Sequence, residues 1–144
     1  MVSNEELAER FYAALNAHDS QKIGEQLTED VNYWEANLPE PIHGRKAVEE
    51  HFEQNWKAFP ETSMKVVNRV VSGDWTADEV EWTGTNSGPI KTPTQTIPAT
   101  GKQATMWLMA VTRRSGDKVS GVRVYYDQVG LLAQLGLMEP PGSE

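Results

Sequence analysis

Acid–base and nucleophilic chemistry in this chain must come from a short inventory: three His, four Tyr and no Cys. Without cysteine there is no disulfide, no thiolate zinc site and no thiol nucleophile. His18, His43 and His51 are never four residues apart, so no helical metal-binding pair exists, and no metal site is assigned. An imidazole titrates near neutrality and is the best-matched acid–base group available. His51 is the candidate, with Asn55 one helical turn on and on the same face. Asn55 could hydrogen-bond a substrate carbonyl or serve only local packing. Tyr33 and Tyr126 could donate to a developing oxyanion, or be core aromatics with satisfied hydroxyls. His51, between Glu50 and Phe52, could equally be an exposed helix side chain.

Other chemistries lack their motifs. The sequence contains no G-x-x-x-x-G-K-[ST], no G-x-G-x-x-G, no G-x-S-x-G and no H-E-x-x-H. Neither a nucleotide nor a redox cofactor is expected. With Lys+Arg 13 against Asp+Glu 21 the net charge is −8, which argues against nucleic acid and anionic membranes as partners. The acidic start, Met-Val-Ser-Asn-Glu-Glu, does not read as a secretory signal, and no apolar run is long enough to span a bilayer. A cytoplasmic protein of one domain, residues 1–138, with a flexible tail at 139–144, is the expectation.

The elements that must position these groups are set by periodicity. Ser3 with Glu6 forms a capping box, and Leu7, Phe11, Ala14 and Leu15 recur at helical spacing, predicting a helix over about 4–17. Asp19 or Ser20 caps a second, short helix carrying Ile23 and Leu27. A strand is predicted over 31–36, then a helix from Gly44 with Val48, Phe52, Trp56 and Phe59 on one side, stopped by Pro60. Further strands are predicted over 66–71, around 79–83, over 103–113 and over 119–126. The Pro- and Thr-rich stretch 87–102 reads as a long structureless loop. On the last strand Val122, Val124 and Tyr126 face one way, and Arg123, Tyr125 and Asp127 the other. Arg123 is expected to pair with Asp127 or with a partner chain. Helices first, antiparallel strands after, is an α+β plan with helices on one face of a curved sheet.

The end of the last strand and the segment after it, Tyr125-Tyr-Asp-Gln-Val-Gly-Leu-Leu-Ala-Gln-Leu-Gly136, resemble the end of SnoaL-like polyketide cyclases, in the nuclear-transport-factor-2-like superfamily. Leu27-Thr-Glu-Asp30, His43-Gly44, Phe59-Pro60, Trp82-Thr-Gly-Thr-Asn-Ser-Gly-Pro89 and Ile97-Pro-Ala-Thr-Gly-Lys102 extend the resemblance, in order, over nearly the whole chain. It implies a cone: a strongly curved antiparallel sheet wrapped around helices and enclosing one deep apolar pocket. It also implies cofactor-free acid–base chemistry, typically intramolecular aldol closure of a polyketide ester, and places His51 on the pocket side of its helix. The family's acid–base pair departs here. The last-strand positions for the His-x-Asp setting are Val122 and Val124, and the pocket His of the preceding strand corresponds to Ala110. Asp127 is out of phase with Val124 and reads as a structural carboxylate at the strand end.

Three readings are open. One is a cyclase or isomerase with His51 as acid–base group and Tyr33, Asn55 and Tyr126 orienting a small to medium apolar carbonyl compound. The second is a non-catalytic binder of a small apolar molecule. The third is an interaction module. The expected pocket lining is Leu15, Trp56, Trp82, Met106, Leu108, Ala110, Val122 and Val124. The loop 87–102 is expected over the mouth. Trp107, Met109, Val111 and Tyr125, on the opposite sheet face, are expected to form a homodimer interface.

Overall fold

A computed structural model of the protein describes residues 1–139. The expected flexible tail therefore lies, except for Glu139, outside the described residues. Helix α1 spans Asn4–Asn16 and buries Leu7, Phe11, Ala14 and Leu15, the stripe read from spacing. Ser3 Oγ accepts from the Glu6 amide at 3.1 Å, but the Glu6 carboxylate turns outward to Arg10, so only half of the capping box forms. Asp19 caps α2 (Ser20–Glu25). The link between the two helices passes through His18 at φ 53°, a left-handed conformation for a residue with a Cβ.

Strand β1 covers Leu27–Glu35, four residues longer at its start than periodicity suggested. Leu27 belongs to it because Leu27 pairs with Val119 across the sheet, a contact no local pattern reports. After β2 (Ile42–His43), Gly44 at φ 91° leads into α3 (Arg45–Ala58). Then come β3 (Ser63–Ser72), β4 (Trp75–Thr85), β5 (Ile90–Lys91), β6 (Thr96–Ile97), β7 (Gln103–Ser115), β8 (Lys118–Tyr126) and α4 (Gln128–Gln134). Asp127 is the N-cap of α4, its Oδ1 accepting from the Gly130 amide at 2.9 Å. It is thus structural, as expected, and among the described residues it forms no ion pair with Arg123, which leaves the partner-chain alternative for that arginine.

The large sheet runs β2-β1-β8-β7-β4-β3. It is antiparallel through β3, β4, β7 and β8, whereas β1 joins β8 in parallel, so the sheet is mixed rather than wholly antiparallel. Alternation tells which face a side chain takes but not the direction of a neighbouring strand. The stretch 87–102 is not structureless: β5 and β6 pair as a small hairpin, Ile90 with Ile97.

Helices α1 and α3 fill the concave face, and the core divides there. One cluster joins both helices to β1 and Val122. The other joins Val80, Trp82, Leu108 and Ala110 on the sheet to Leu135, at the end of α4. Tyr12, Met64 and Val124 touch both clusters, and the space between them is a cavity. On the convex face Trp107, Met109 and Tyr125 are 60%, 37% and 46% exposed, uncovered by the protein's own helices.

Candidate functional site

The cavity has a volume of about 360 Å³, within the range of small-molecule sites. Every residue expected to line it does so: Leu15 from α1, Trp56 from α3, Trp82 from β4, Met106, Leu108 and Ala110 from β7, and Val122 and Val124 from β8. Register explains the shared face. Leu108 pairs with Val80 on one side and Tyr126 on the other, and Ala110 pairs with Val124. Tyr33, Tyr126 and Asn55 also line the cavity, Asn55 from an exposed position.

His51 does not. It is absent from the lining and contacts residues that line the cavity, foremost Glu35, whose Oε1 accepts from His51 Nε2. Glu35 does line the cavity, and sequence reasoning missed it. The signal was available. Val31, Tyr33 and Glu35 alternate on β1, so a residue two beyond the candidate Tyr33 must share its face. Glu35 Oε1 also accepts from the Tyr33 hydroxyl at 3.1 Å. Asn55 Nδ2 lies 3.3 Å from His51 Nε2. Oε1 is thus held from two sides, while Oε2 makes no hydrogen bond among the described residues and is not buried away. The Glu35 and His51 side chains are only 13% and 14% exposed. In the parallel ladder Glu35 is the partner of Val124. A carboxylate therefore stands one strand over from Val124, at the same level of the cavity.

The surrounding phenols are donors. Burial, and then the negative charge of Glu35, push the pKa of Tyr33 and of Tyr126 above the ordinary tyrosine value. Burial, and then Asp78, do the same to Tyr12, another lining residue. All three hydroxyls keep their protons at any physiological pH. Among the described residues no three His, Cys, Asp or Glu side chains are grouped to hold a metal ion.

The hairpin borders the cavity: Ile90, Lys91, Thr92 and Ile97 line it, Lys91 and Thr92 from exposed positions. Its base is pinned by the fully buried Asn86. Asn86 Nδ2 donates to Ala58 O at 3.2 Å and Gly88 O at 2.8 Å, and its Oδ1 accepts from the Thr100 amide at 2.9 Å and the Thr100 hydroxyl at 3.0 Å. Gly88 is required beside it, since a Cβ there would fall 1.8 Å from Lys57 O.

The sequence pattern of the SnoaL-like domain matches residues 8–122. A comparison with curated proteins finds none that matches. Among solved structures, a proposed SnoaL-like polyketide cyclase from Jannaschia sp. CCS1 superposes with a TM-score of 0.81 at 18% identity, over 96% of this chain and 93% of that one. IdmH, a proposed polyketide cyclase from Streptomyces antibioticus, gives 0.75 at 23% identity, over 92% and 97%. An LEH-like epoxide hydrolase from M. tuberculosis gives 0.69 at 15%, over 90% and 86%. At these identities the likeness concerns the fold. No helix among the described residues is long and apolar enough to cross a membrane.

Proposed function

The chain belongs to the family of SnoaL-like domains, and from that premise we propose a cofactor-independent acid–base enzyme of the cyclase or isomerase type. Its substrate is a small to medium apolar carbonyl compound, and its base is Glu35. The observation that carries this reading is a carboxylate in the wall of an apolar cavity, with one oxygen held by Tyr33 and His51 and the other free. Glu35 takes the proton from the carbon beside the carbonyl. The C–H electron pair becomes the C=C bond of an enolate, and charge moves to the carbonyl oxygen. Tyr126 and Asn55, both in the cavity lining, are the donors that meet that charge in this reading. Returning the proton to another carbon isomerises the substrate. Attack of the enolate carbon on a second carbonyl closes a ring, and the resulting alkoxide takes the proton back from Glu35.

This reading moves His51 from base to positioning residue. It also commits the Tyr33 proton to Glu35 rather than to substrate. One observation favours the second reading, a binder without turnover: Ala110 and Val124, where the family resemblance implies an acid–base pair, face each other as apolar residues. The two are separated by incubating the protein with 2-tetralone in D2O and following deuterium exchange beside the carbonyl by NMR. Accelerated exchange supports the enzyme; binding without acceleration leaves only the binder.

Cytoplasmic action is part of the same reading, since a chain without cysteine needs no oxidising compartment to fold. So is the homodimer. Met109 and Tyr125 pair across β7 and β8, Tyr125 packs on Trp34 at 5.2 Å, and Trp107 stands beside them. Burying each such side chain contributes about 1.5–3 kcal/mol before association costs. Two-fold pairing of this face should give twice the 16.1 kDa monomer by light scattering. Trp107→Glu should return the mass to that of a monomer; a wild-type monomer at micromolar concentration would remove the dimer from the proposal.

A further inference from the structure

Helix α1 ends in a motif that glycine usually completes. The Asp19 amide donates to Ala14 O at 3.1 Å and the His18 amide to Leu15 O at 3.1 Å, the paired backbone bonds of a left-handed helix termination. Ala17 is the C-cap, so His18 holds the next position, at φ 53°. Glycine is the usual occupant there, because a Cβ is crowded in that conformation. Among the described residues His18 alone, glycine apart, has a positive φ. Backbone geometry therefore does not account for a histidine, and its side chain must. The half-buried imidazole lies flat on the Trp56 indole, ring centroids 4.7 Å apart and planes 5° from parallel. Its Nε2 lies 2.8 Å from Thr62 Oγ1. Trp56 and Thr62 both line the cavity, whereas His18 does not. Asn16, two residues before it, binds Met64 through both backbone groups: the Met64 amide donates to Asn16 Oδ1 at 2.8 Å, and Asn16 Nδ2 donates to Met64 O at 3.0 Å. His18 thus stands behind the cavity wall where the end of α1, the helix α3 and the start of β3 meet.

Stacked aromatic rings stabilise one another beyond the area they bury. The imidazole is fixed across its face by Trp56 and at its nitrogen by Thr62, so it holds both in turn. An indole without that neighbour can turn about its two side-chain torsions, and a turned Trp56 reshapes the wall the ligand meets. A residue kept in a conformation that suits glycine better points from backbone to function. We propose that His18 is a positioning residue of the ligand cavity, holding the Trp56 indole and the Thr62 hydroxyl in the orientation that binds ligand. This rests on the reading of the cavity as a small-molecule site and does not depend on which group is the base.

The test separates the backbone from the ring in the full-length protein. His18→Gly keeps both backbone bonds, relieves the left-handed conformation and deletes the imidazole. His18→Ala deletes the imidazole without that relief. The Tm of His18→Gly should stay within about 3 °C of the wild type, and that of His18→Ala should fall roughly 4 °C or more below His18→Gly. Both should nonetheless weaken 2-tetralone binding alike, about five- to tenfold by calorimetry, the worth of one lost contact. His18→Phe, which restores the stack, should recover most of the affinity with a Tm no higher than that of His18→Ala. In the exchange assay the loss should fall on KM rather than kcat, because Glu35 is held by Tyr33 and His51. Wild-type affinity in His18→Gly, affinity that follows Tm from Ala to Gly, or a His18→Gly that fails to fold overturns the assignment and makes the histidine purely structural. A loss confined to kcat overturns it too. If His18→Phe fails to fold, the Gly and Ala variants still decide. Failure of 2-tetralone to bind the wild type overturns it together with the cavity reading. Binding that depends on His18, without deuterium exchange, upholds this inference while rejecting the base.

Discussion

Glu35→Gln is expected to lower the rate of proton abstraction by about 10²–10⁴-fold, the usual worth of a positioned general base. The substitution keeps the volume of the side chain and an oxygen that can accept from Tyr33, so the cavity wall should be unchanged. What it removes is the ability to hold a proton. His51→Ala should cost less, because His51 contacts the carboxylate rather than the cavity. Its loss lets Glu35 turn but leaves the base in place, so the effect should fall on kcat with little change in KM. The order of the two losses is the informative quantity, read as 2-tetralone exchange rates on folded, ligand-binding variants. If His51→Ala abolishes exchange and Glu35→Gln does not, His51 is the base and Glu35 merely orients it. Tyr126→Phe gives a third reading. A loss of about 10²-fold would make this phenol the donor to the enolate oxygen.

Asn86→Ala should be the most damaging change to the hairpin segment. It deletes four side-chain hydrogen bonds and leaves Gly88 O and the Thr100 amide without that partner, while Ala58 O keeps the Gly88 amide at 3.2 Å. Leaving a part-buried carbonyl and amide unsatisfied costs about 1–3 kcal/mol each, so a destabilisation of roughly 2–4 kcal/mol is expected. In a domain of this size that lowers Tm by on the order of 10 °C. The same substitution loosens the hairpin segment, whose two ends keep only the Asn86–Lys102 and Gly101–Asn86 backbone bonds between them, so KM should rise along with the loss of stability. Pro93→Ala, at the exposed tip, should change neither. Hydrogen exchange supplies the structural check. Amides of 90–97 should already exchange faster than those of β7 in the wild type, and Asn86→Ala should spread that to 86–102. A variant with unaltered Tm and unaltered exchange would show that Gly88 and the packing against α3 hold the hairpin without Asn86.

Much of the scaffold was legible in local pattern. Helical spacing placed Leu7, Phe11 and Leu15 on one buried stripe, and two-residue alternation put Val122, Val124 and Tyr126 toward the cavity and Tyr125 outward. Such periodicities read correctly because they depend only on residues a few positions apart. The same rule, carried two residues past Tyr33, would also have reached Glu35. What it could not supply was Glu35's partners. His51 lies 16 residues away on another element, and the pairing of β1 with β8 joins residues at opposite ends of the chain, in a parallel sense that alternation does not encode. The hairpin inside 87–102 escaped for a different reason. Its strands are two residues long, too short for any period, and exist because Asn86 draws their ends together. Sequence alone settled which faces are apolar; only the docking of helices on the curved sheet decided which polar groups meet inside it, because that meeting depends on contacts between residues far apart in the chain.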